Sequence, residues 1–413
     1  MNQIDISKGI VPRPRSLNRL SEAAATAICS RALFESERSL PMTVPEFLII
    51  SGHDYRSKRK ANMHFLAEVL ARRGKVNFYS IGFSYFSMIK SDPRAELWEK
   101  ANAVEQLGGV QCYLERNLVH PFRIGRDWLH APEAAWFANY ARKPRKQFWD
   151  WVATAQTIIF ESGISVLLAE QVAIVNPTAK KIYLASDDLE TIGCSEVLSR
   201  VLDQAAASFT HAVLPSRLLA RAVPATMPKA YVPHGFDKAA FLPASESPFS
   251  GSINAVSVGS MLFDANFFRV ACAEFPNVTF HVIGGGRNSE GLVAKNLVVL
   301  PEMPFSETVR YIRHASVGIA AYTANHAPYY LSDTSMKLWQ YQYVGLNSVC
   351  PFFACGDLPG RFGYDPDNDA SIVSALDRAL GATRFEPDHS LFLDWSDVVD
   401  RILSPREYAD TKI

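Results

Sequence analysis

The sequence predicts an α/β protein made of two parallel-sheet units in tandem, with a ligand cleft between them. Three observations predict it. Short apolar runs recur from residue 46 onward and alternate with stretches whose apolar residues repeat at helical spacing. A segment rich in Pro, Ser and Gly (FLPASESPFSGS, 241–252) interrupts the alternation, which then restarts. The 413 residues suit two or three domains at roughly 150 residues each.

Taken in order, residues 1–44 read as an N-terminal extension carrying Arg13, Arg15 and Arg19 around two prolines, with an Ala-rich stretch at 23–27. Residues 46–51 (EFLIIS) predict a buried strand. Residues 58–74 predict a helix with Met63, Leu66, Val69 and Leu70 on one face and Gly74 as its C-cap. Strands follow at 75–81, 157–162, 181–186 and 212–215, with helices at 164–175 and 195–207; this is the first unit, 45–240. After the linker at 241–252, the second unit (253–390) has strands at 253–259, 278–283, 296–300 and 317–321 and helices at 265–275, 306–314 and 335–345. Residues 391–413 are expected to form a helical segment that packs back on the first unit. Open parallel sheets bind ligands at the carboxyl ends of their strands, so a deep cleft between two such units is the expected site.

Composition excludes several classes. Forty-two basic residues balance forty-two acidic ones, so no global field draws the chain to nucleic acid. Hydrophobic residues make up 48% and charged residues 20%, a globular balance. The apolar runs at 166–169 and 317–322 fall far below the roughly 18 residues of a membrane span. The opening MNQIDISKGIVPRPRS lacks the basic-then-apolar order of a secretory signal. Cys29, Cys112, Cys194, Cys272, Cys350 and Cys355 form no CxxC pair and no metal-ligand spacing, so free thiols and no metal site are expected.

Candidate chemistry gathers at strand ends. Asp333 and Thr334 are the candidate N-caps of the helix that Ser335, Met336 and Lys337 open after Leu331 and Ser332, and a free helix N-terminus with hydroxyls and a lysine suits a diphosphate. An ordinary capped helix is the plain alternative, although a lysine in the first turn opposes the dipole. Gly284, Gly285 and Gly286 permit close backbone approach but do not form GxGxxG. Ser260 and Met261 follow one strand, and Glu302 and Met303 follow another, where a carboxylate can accept from ribose hydroxyls. In the first unit, Asp187 and Asp188 follow one strand and Glu161 ends another; each is a general-base candidate, or a cap for the next helix. His53 and His234 fit a site or a structural role equally. Arg56, Lys58, Arg59 and Lys60, with Tyr79, Phe83, Tyr85 and Phe86, read as a basic and aromatic face for an anionic membrane surface, joined by Phe122, Arg123, Arg126 and Trp128. A solvated charge run beside core aromatics is the competing reading.

Taken together, these residues resemble a family, the GumK-type bacterial glucuronosyltransferases of xanthan-like exopolysaccharide assembly. The resemblance spans about 45–410 and rests on HDYRSKRKANMHF (53–65), VHPF (119–122), IFESGI (159–164), ASD (185–187), HGFD (234–237), VGSMLFD (258–264), FHVIG (280–284), SMKLWQY (335–341), RFGY (361–364) and Asp394-Trp395-Ser396-Asp397. It implies the GT-B architecture, two Rossmann-like domains facing a deep cleft. It also implies inverting, metal-independent transfer of glucuronic acid from UDP-glucuronate to a polyprenyl-diphosphate-linked oligosaccharide at the cytoplasmic face of the inner membrane. On this resemblance the catalytic base falls on Asp187. Donor contacts fall on Ser260, Met261, Glu302, Met303, Tyr322, Ser335, Met336, Lys337 and Gln340. The N-terminal extension and the Gly285-Gly286-Arg287 stretch depart from the family pattern. A related transferase using another UDP-sugar, or a sugar-nucleotide-binding protein without turnover, are the alternatives.

Overall fold

The computed structural model describes residues 44–413 apart from 59, 90–91, 125–129, 144, 243–244 and 252. Residues 1–43 of the N-terminal extension, Cys29 among them, and Arg59, Arg126 and Trp128 therefore lie outside the described residues.

Among the described residues, the first half builds an eight-stranded sheet from β1 (Glu46–Ser51), β2 (Lys75–Ser84), β3 (Val104–Leu107), β4 (Val110–Asn117), β5 (Thr157–Glu161), β6 (Lys180–Leu184), β7 (His211–Leu214) and β8 (Lys229–Tyr231). Its spatial order is β3-β4-β2-β1-β5-β6-β7-β8, and every pair is parallel except β3–β4. Central strands of such a sheet are covered on both faces, which is why β1 and β5 are almost uniformly apolar and buried. The β3–β4 hairpin turns through Gly108 and Gly109, both at positive φ, which only glycine adopts without strain. The double glycine is a turn signal that the sequence reading passed over.

The second half pairs β9 (Asn254–Val258), β10 (Thr279–Ile283), β11 (Leu297–Leu300), β12 (Val317–Ile319), β13 (Ser348–Pro351) and β14 (Arg361–Tyr364), in spatial order β11-β10-β9-β12-β13-β14 with every pair parallel. Strand alternating with helix in both halves is the predicted fold class, two parallel α/β sheets.

Three differences of detail have physical causes. The first helix runs only Asn62–Ala71 and is capped at Arg72. Gly74 instead allows a close backbone approach, since a Cβ there would lie 2.1 Å from the Pro45 carbonyl oxygen. Strand β2 extends to Ser84 rather than ending at 81, so it pairs with β4 as far as Asn117. The segment 164–175 starts as a 3₁₀ turn, Ile164–Leu168, before the α-helix Ala169–Val175.

The helix Trp395–Leu403 lies against the first half. Val398, Val399 and Ile402 are buried with Met63, Leu66 and Leu70 of Asn62–Ala71 and with Ile49 and Ile182. Trp395 stacks on Phe65 at 5.1 Å, and Arg73 pairs with Asp400 and donates to Ser396 Oγ at 2.9 Å. The chain thus crosses twice between its halves, which ties both walls of the cleft to one framework.

Candidate active site

One wall of the site is the carboxyl end of β5 and β6. Asp187 follows β6; its amide donates to Ser162 Oγ at 3.1 Å, and its Oδ1 accepts from Tyr330 Oη at 2.9 Å. Burial pushes the Asp187 carboxyl up to about 6; Glu161 and Asp188 add to the rise, while Tyr330 and His53 pull it down. A carboxylate at that value is ionised at neutral pH yet basic enough to take a proton. Asp188 does different work. Its Oδ1 accepts from the Glu190 amide at 3.1 Å and its Oδ2 from Thr191 Oγ1 at 3.0 Å, so it closes the turn. The local capping role therefore falls on Asp188, which leaves Asp187 available for chemistry.

Glu161 is buried at the end of β5. Ser51 Oγ donates to its Oε2, and His53 Nε2 stands 3.5 Å from its Oε1. His234 is not arranged as a base. Burial pushes its ring down to about 4, and Asn62 Nδ2 donates to its Nδ1 at 2.8 Å. Asp237 caps a short turn by accepting from the Ala240 amide at 3.2 Å.

The opposite wall comes from the second half. Ser335, rather than Asp333 or Thr334, caps the helix Met336–Tyr343; the latter two belong to a short preceding turn, Leu331–Thr334. Ser335 Oγ also lies 2.5 Å from Tyr322 Oη in a fully buried pair. Lys337 is buried in the first turn. Among the described residues its Nζ has no hydrogen-bond partner, and it sits 4.8 Å above the Tyr322 ring. Burial pushes its ammonium down to about 8. It is therefore largely charged at neutral pH, with only a π-face for company.

A cleft of about 640 Å³, within the range of small-molecule sites, opens beside the start of the helix Met336–Tyr343. Glu302, Met303, Met336 and Gln340 line it from the second half, while Lys58, Lys60, Asn62, Phe65 and Trp395 line it from the other side. Gly259 lines it too, followed by Ser260 and the exposed Met261. Two of the three glycines make room here: a Cβ on Gly286 would meet Ser260 Cβ at 2.9 Å, and one on Gly284 would meet Glu302 Cα at 3.4 Å. Asp187 does not line this cleft, and neither do the buried Tyr322, Ser335 and Lys337. A small cavity sharing Asn62 and Trp395 with it reaches Ser186, the neighbour of Asp187.

The predicted membrane face needs correction. Tyr79 (1% exposed) and Phe83 (0%) are core residues, because β2 is an interior strand paired on both edges. The Arg56 side chain is 3% exposed, bonded to Asp54 at 2.8 and 2.9 Å and to Glu105 at 3.1 Å. Lys58 and Lys60 line the cleft and pair with Glu96 and Glu68. Of the predicted aromatics Tyr79, Phe83, Tyr85 and Phe86, Tyr85 (61%) and Phe86 (38%) are exposed as expected, on the short helix Tyr85–Ile89, and Lys58, Lys60 and Arg123 are exposed too. Met88, Ile89, Leu118 and Val119 join them as exposed apolar residues. The sequence reading also passed over Tyr330, whose hydroxyl spans from the second half to Asp187; the pair Tyr329-Tyr330 beside the LSDTS segment was the signal.

Two parallel α/β sheets with a cleft at the strand ends of the second, and a carboxylate presented by the first, define a GT-B glycosyltransferase. Solved structures agree on the fold. A Burkholderia xenovorans α,α-trehalose-phosphate synthase (UDP-forming), in complex with glucose-6-phosphate, aligns with a TM-score of 0.56 at 12% identity over 88% of this chain and all of that one. Anabaena HepE, in complex with UDP and glucose, aligns at 0.56 with 11% identity over 87% and 99%. The family model "Glucuronosyltransferase GumK, N-terminal domain" matches residues 49–215. A UDP-glucuronate:glycolipid 2-beta-glucuronosyltransferase from Xanthomonas campestris pv. campestris is 43% identical over 369 residues, covering 89% of this chain and 92% of the relative. The chain belongs to the GumK glucuronosyltransferase family.

Proposed function

We propose that the protein transfers glucuronic acid from UDP-glucuronate to a lipid-linked oligosaccharide, with inversion and without a metal ion, during exopolysaccharide assembly. The observation that carries this reading is Lys337. A buried ammonium without an anionic partner is costly, and the cost is recovered when an anion arrives. UDP-glucuronate offers a diphosphate and a carboxylate. In the reaction, the Asp187 carboxylate takes the proton of the acceptor hydroxyl as the oxygen attacks the anomeric carbon. The bond to UDP breaks on the opposite face, and the charge growing on the diphosphate meets Lys337 and the amide groups at the start of Met336–Tyr343. The 43% identical glycolipid glucuronosyltransferase supports both donor and acceptor class.

The acceptor is a lipid, so the site must work at a membrane surface. No described helix is long and apolar enough to cross a bilayer. The exposed cluster of Tyr85, Phe86, Met88, Ile89, Leu118 and Val119 supports peripheral attachment, at the cytoplasmic face where anionic lipids and UDP-sugars meet.

A scan of UDP-sugars against lipid-extract acceptors, with and without EDTA, tests the proposal. UDP release is expected with UDP-glucuronate and acceptor together, unaffected by EDTA. Turnover with another UDP-sugar but not with the glucuronate would overturn the donor; binding without turnover would leave a sugar-nucleotide-binding protein.

A further inference from the structure

The structure assigns a covalent modification site to a pair of cysteines beneath the donor-side wall. We propose that Cys350 and Cys355 form a reactive dithiol, closed to a disulfide by peroxide-class oxidants and bridged by trivalent arsenicals, and that closure disturbs the scaffold holding Asp187.

Cys350 lies in β13 and Cys355 ends the short helix Phe352–Cys355 that follows. Their sulfurs are 3.6 Å apart, within hydrogen-bond reach. The pocket has space for sulfur because residue 363 is glycine: a Cβ there would lie 2.8 Å from Cys355 Sγ. The Arg361 guanidinium packs beside both thiols. Its Nη1 donates to the carbonyls of Ser332 (2.8 Å) and Cys355 (2.9 Å), while its Nε and Nη2 have no partner among the described residues. A buried cation with spare donors favours a thiolate.

The two thiols are not equivalent. Cys350 is fully buried, and its bond to Cys355 together with burial holds its proton on. The Cys350 hydrogen bond lowers Cys355 against the opposing effect of burial, and Arg361 and Arg378 lower it further. Cys355 is also the more accessible of the two. Cys355 is therefore the nucleophile. Its thiolate attacks one peroxide oxygen, the O–O bond breaks, and the departing hydroxide takes up a proton to leave as water. Cys350 sulfur then attacks the sulfenic sulfur of Cys355, the S–O bond breaks, and the hydroxyl leaves with the Cys350 proton as a second water. Two thiols are oxidised and one peroxide is reduced.

Closure requires each sulfur to move, since a disulfide bond is about 2 Å long. That movement pulls on the segment whose carbonyl Arg361 holds. Arg361 also holds Ser332, which lies between Tyr330, the donor to Asp187, and Asp333, which accepts from Ser216 Oγ of the first half at 2.6 Å. The thiol pair and the base thus share one brace.

The test uses the purified full chain and hydrogen peroxide or phenylarsine oxide as probes. Trypsin releases residues 338–361 as one peptide that carries both cysteines. Peroxide is expected to remove two hydrogens from this peptide, and the arsenical to add to it as a bridge. Turnover should fall roughly tenfold, a typical coupling between sites, and return with dithiothreitol. Cys355→Ser should keep basal turnover and resist both reagents; Cys350→Ser serves if that variant does not fold. The mass readout does not depend on the donor's identity. A peptide that stays reduced while Cys194 oxidises overturns the site, and a bridged peptide with unchanged turnover overturns the coupling.

Discussion

The two walls of the site are built on opposite principles. On the base side every one of the three carboxylates is already engaged: Asp187 with Tyr330, Glu161 with Ser51 and His53, Asp188 with its own turn. On the donor side, Lys337 is buried with no hydrogen-bonding partner among the described residues. The first wall is complete without substrate and therefore preorganised. The second leaves a buried ammonium without a hydrogen-bonding partner among the described residues, and the proposed donor's anion would complete it. The difference separates groups that do chemistry, which must be held still, from groups that select a ligand by needing one.

The sharpest way to break the comparison is at the base. Asp187→Asn keeps the shape and the bond from Tyr330 but removes the proton acceptor. Turnover is expected to fall by about 10²–10⁴, with UDP affinity unchanged, as measured by initial rates and calorimetry. Near-normal turnover in the folded variant would send the search to Glu161.

On the donor side, Lys337→Met is expected to weaken donor binding by about 2–5 kcal/mol, the range for truncating one partner of a buried charge pair. The same change should raise the stability of the free protein, by about 1–3 kcal/mol in a denaturant titration, because an uncompensated buried charge is gone. Weaker binding together with a more stable fold is the signature of a group held in readiness. A loss of stability would instead mark Lys337 as structural. Comparing UDP-glucuronate with UDP-glucose then separates its roles: equal losses indicate the diphosphate, a loss confined to the glucuronate indicates the carboxylate.

The pH profile of kcat/KM should be bell-shaped. Asp187 must be ionised, so activity falls below about 6. Lys337 must be charged, so activity falls again above about 8. Tyr330→Phe sharpens this profile. The lost hydrogen bond stabilised the carboxylate, so the acid limb should move to higher pH, with stability reduced by about 1.5–3 kcal/mol. An unmoved acid limb would detach Tyr330 from the base.

Smaller effects lie outside the two walls. Tyr85→Ser with Phe86→Ser should weaken co-sedimentation with anionic vesicles without touching turnover on a soluble acceptor analogue. Binding should fall as salt rises, because only its electrostatic part is screened. Asp188→Asn is the smallest: about 0.5–1 kcal/mol of stability from a weakened turn, with activity retained.

The α/β alternation and the apolar runs of β1, β2, β5, β6, β7, β9, β10, β11 and β12 were legible in residues 45–390, because covering a parallel sheet on both faces imposes a local pattern, whereas β3, β4, β8, β13 and β14 went unread. Ser335, Met336 and Lys337 at a helix start, and Asp187 with Asp188 after a strand, were legible for the same local reason. Which of the two aspartates caps a turn was not, since that depends on partners at 190 and 191 on one side and at 330 on the other. Nor was the burial of Tyr79, Phe83 and Arg56. A strand pattern does not say whether its polar-looking neighbours face solvent, and only the pairing of β2 between β1 and β4, with Asp54 and Glu105 around Arg56, decides it. Local periodicity determined the elements. The tertiary structure alone decided which charges are satisfied, because partners brought in from elsewhere in the chain, such as Tyr330 at Asp187 and Glu105 at Arg56, leave no local trace in the sequence.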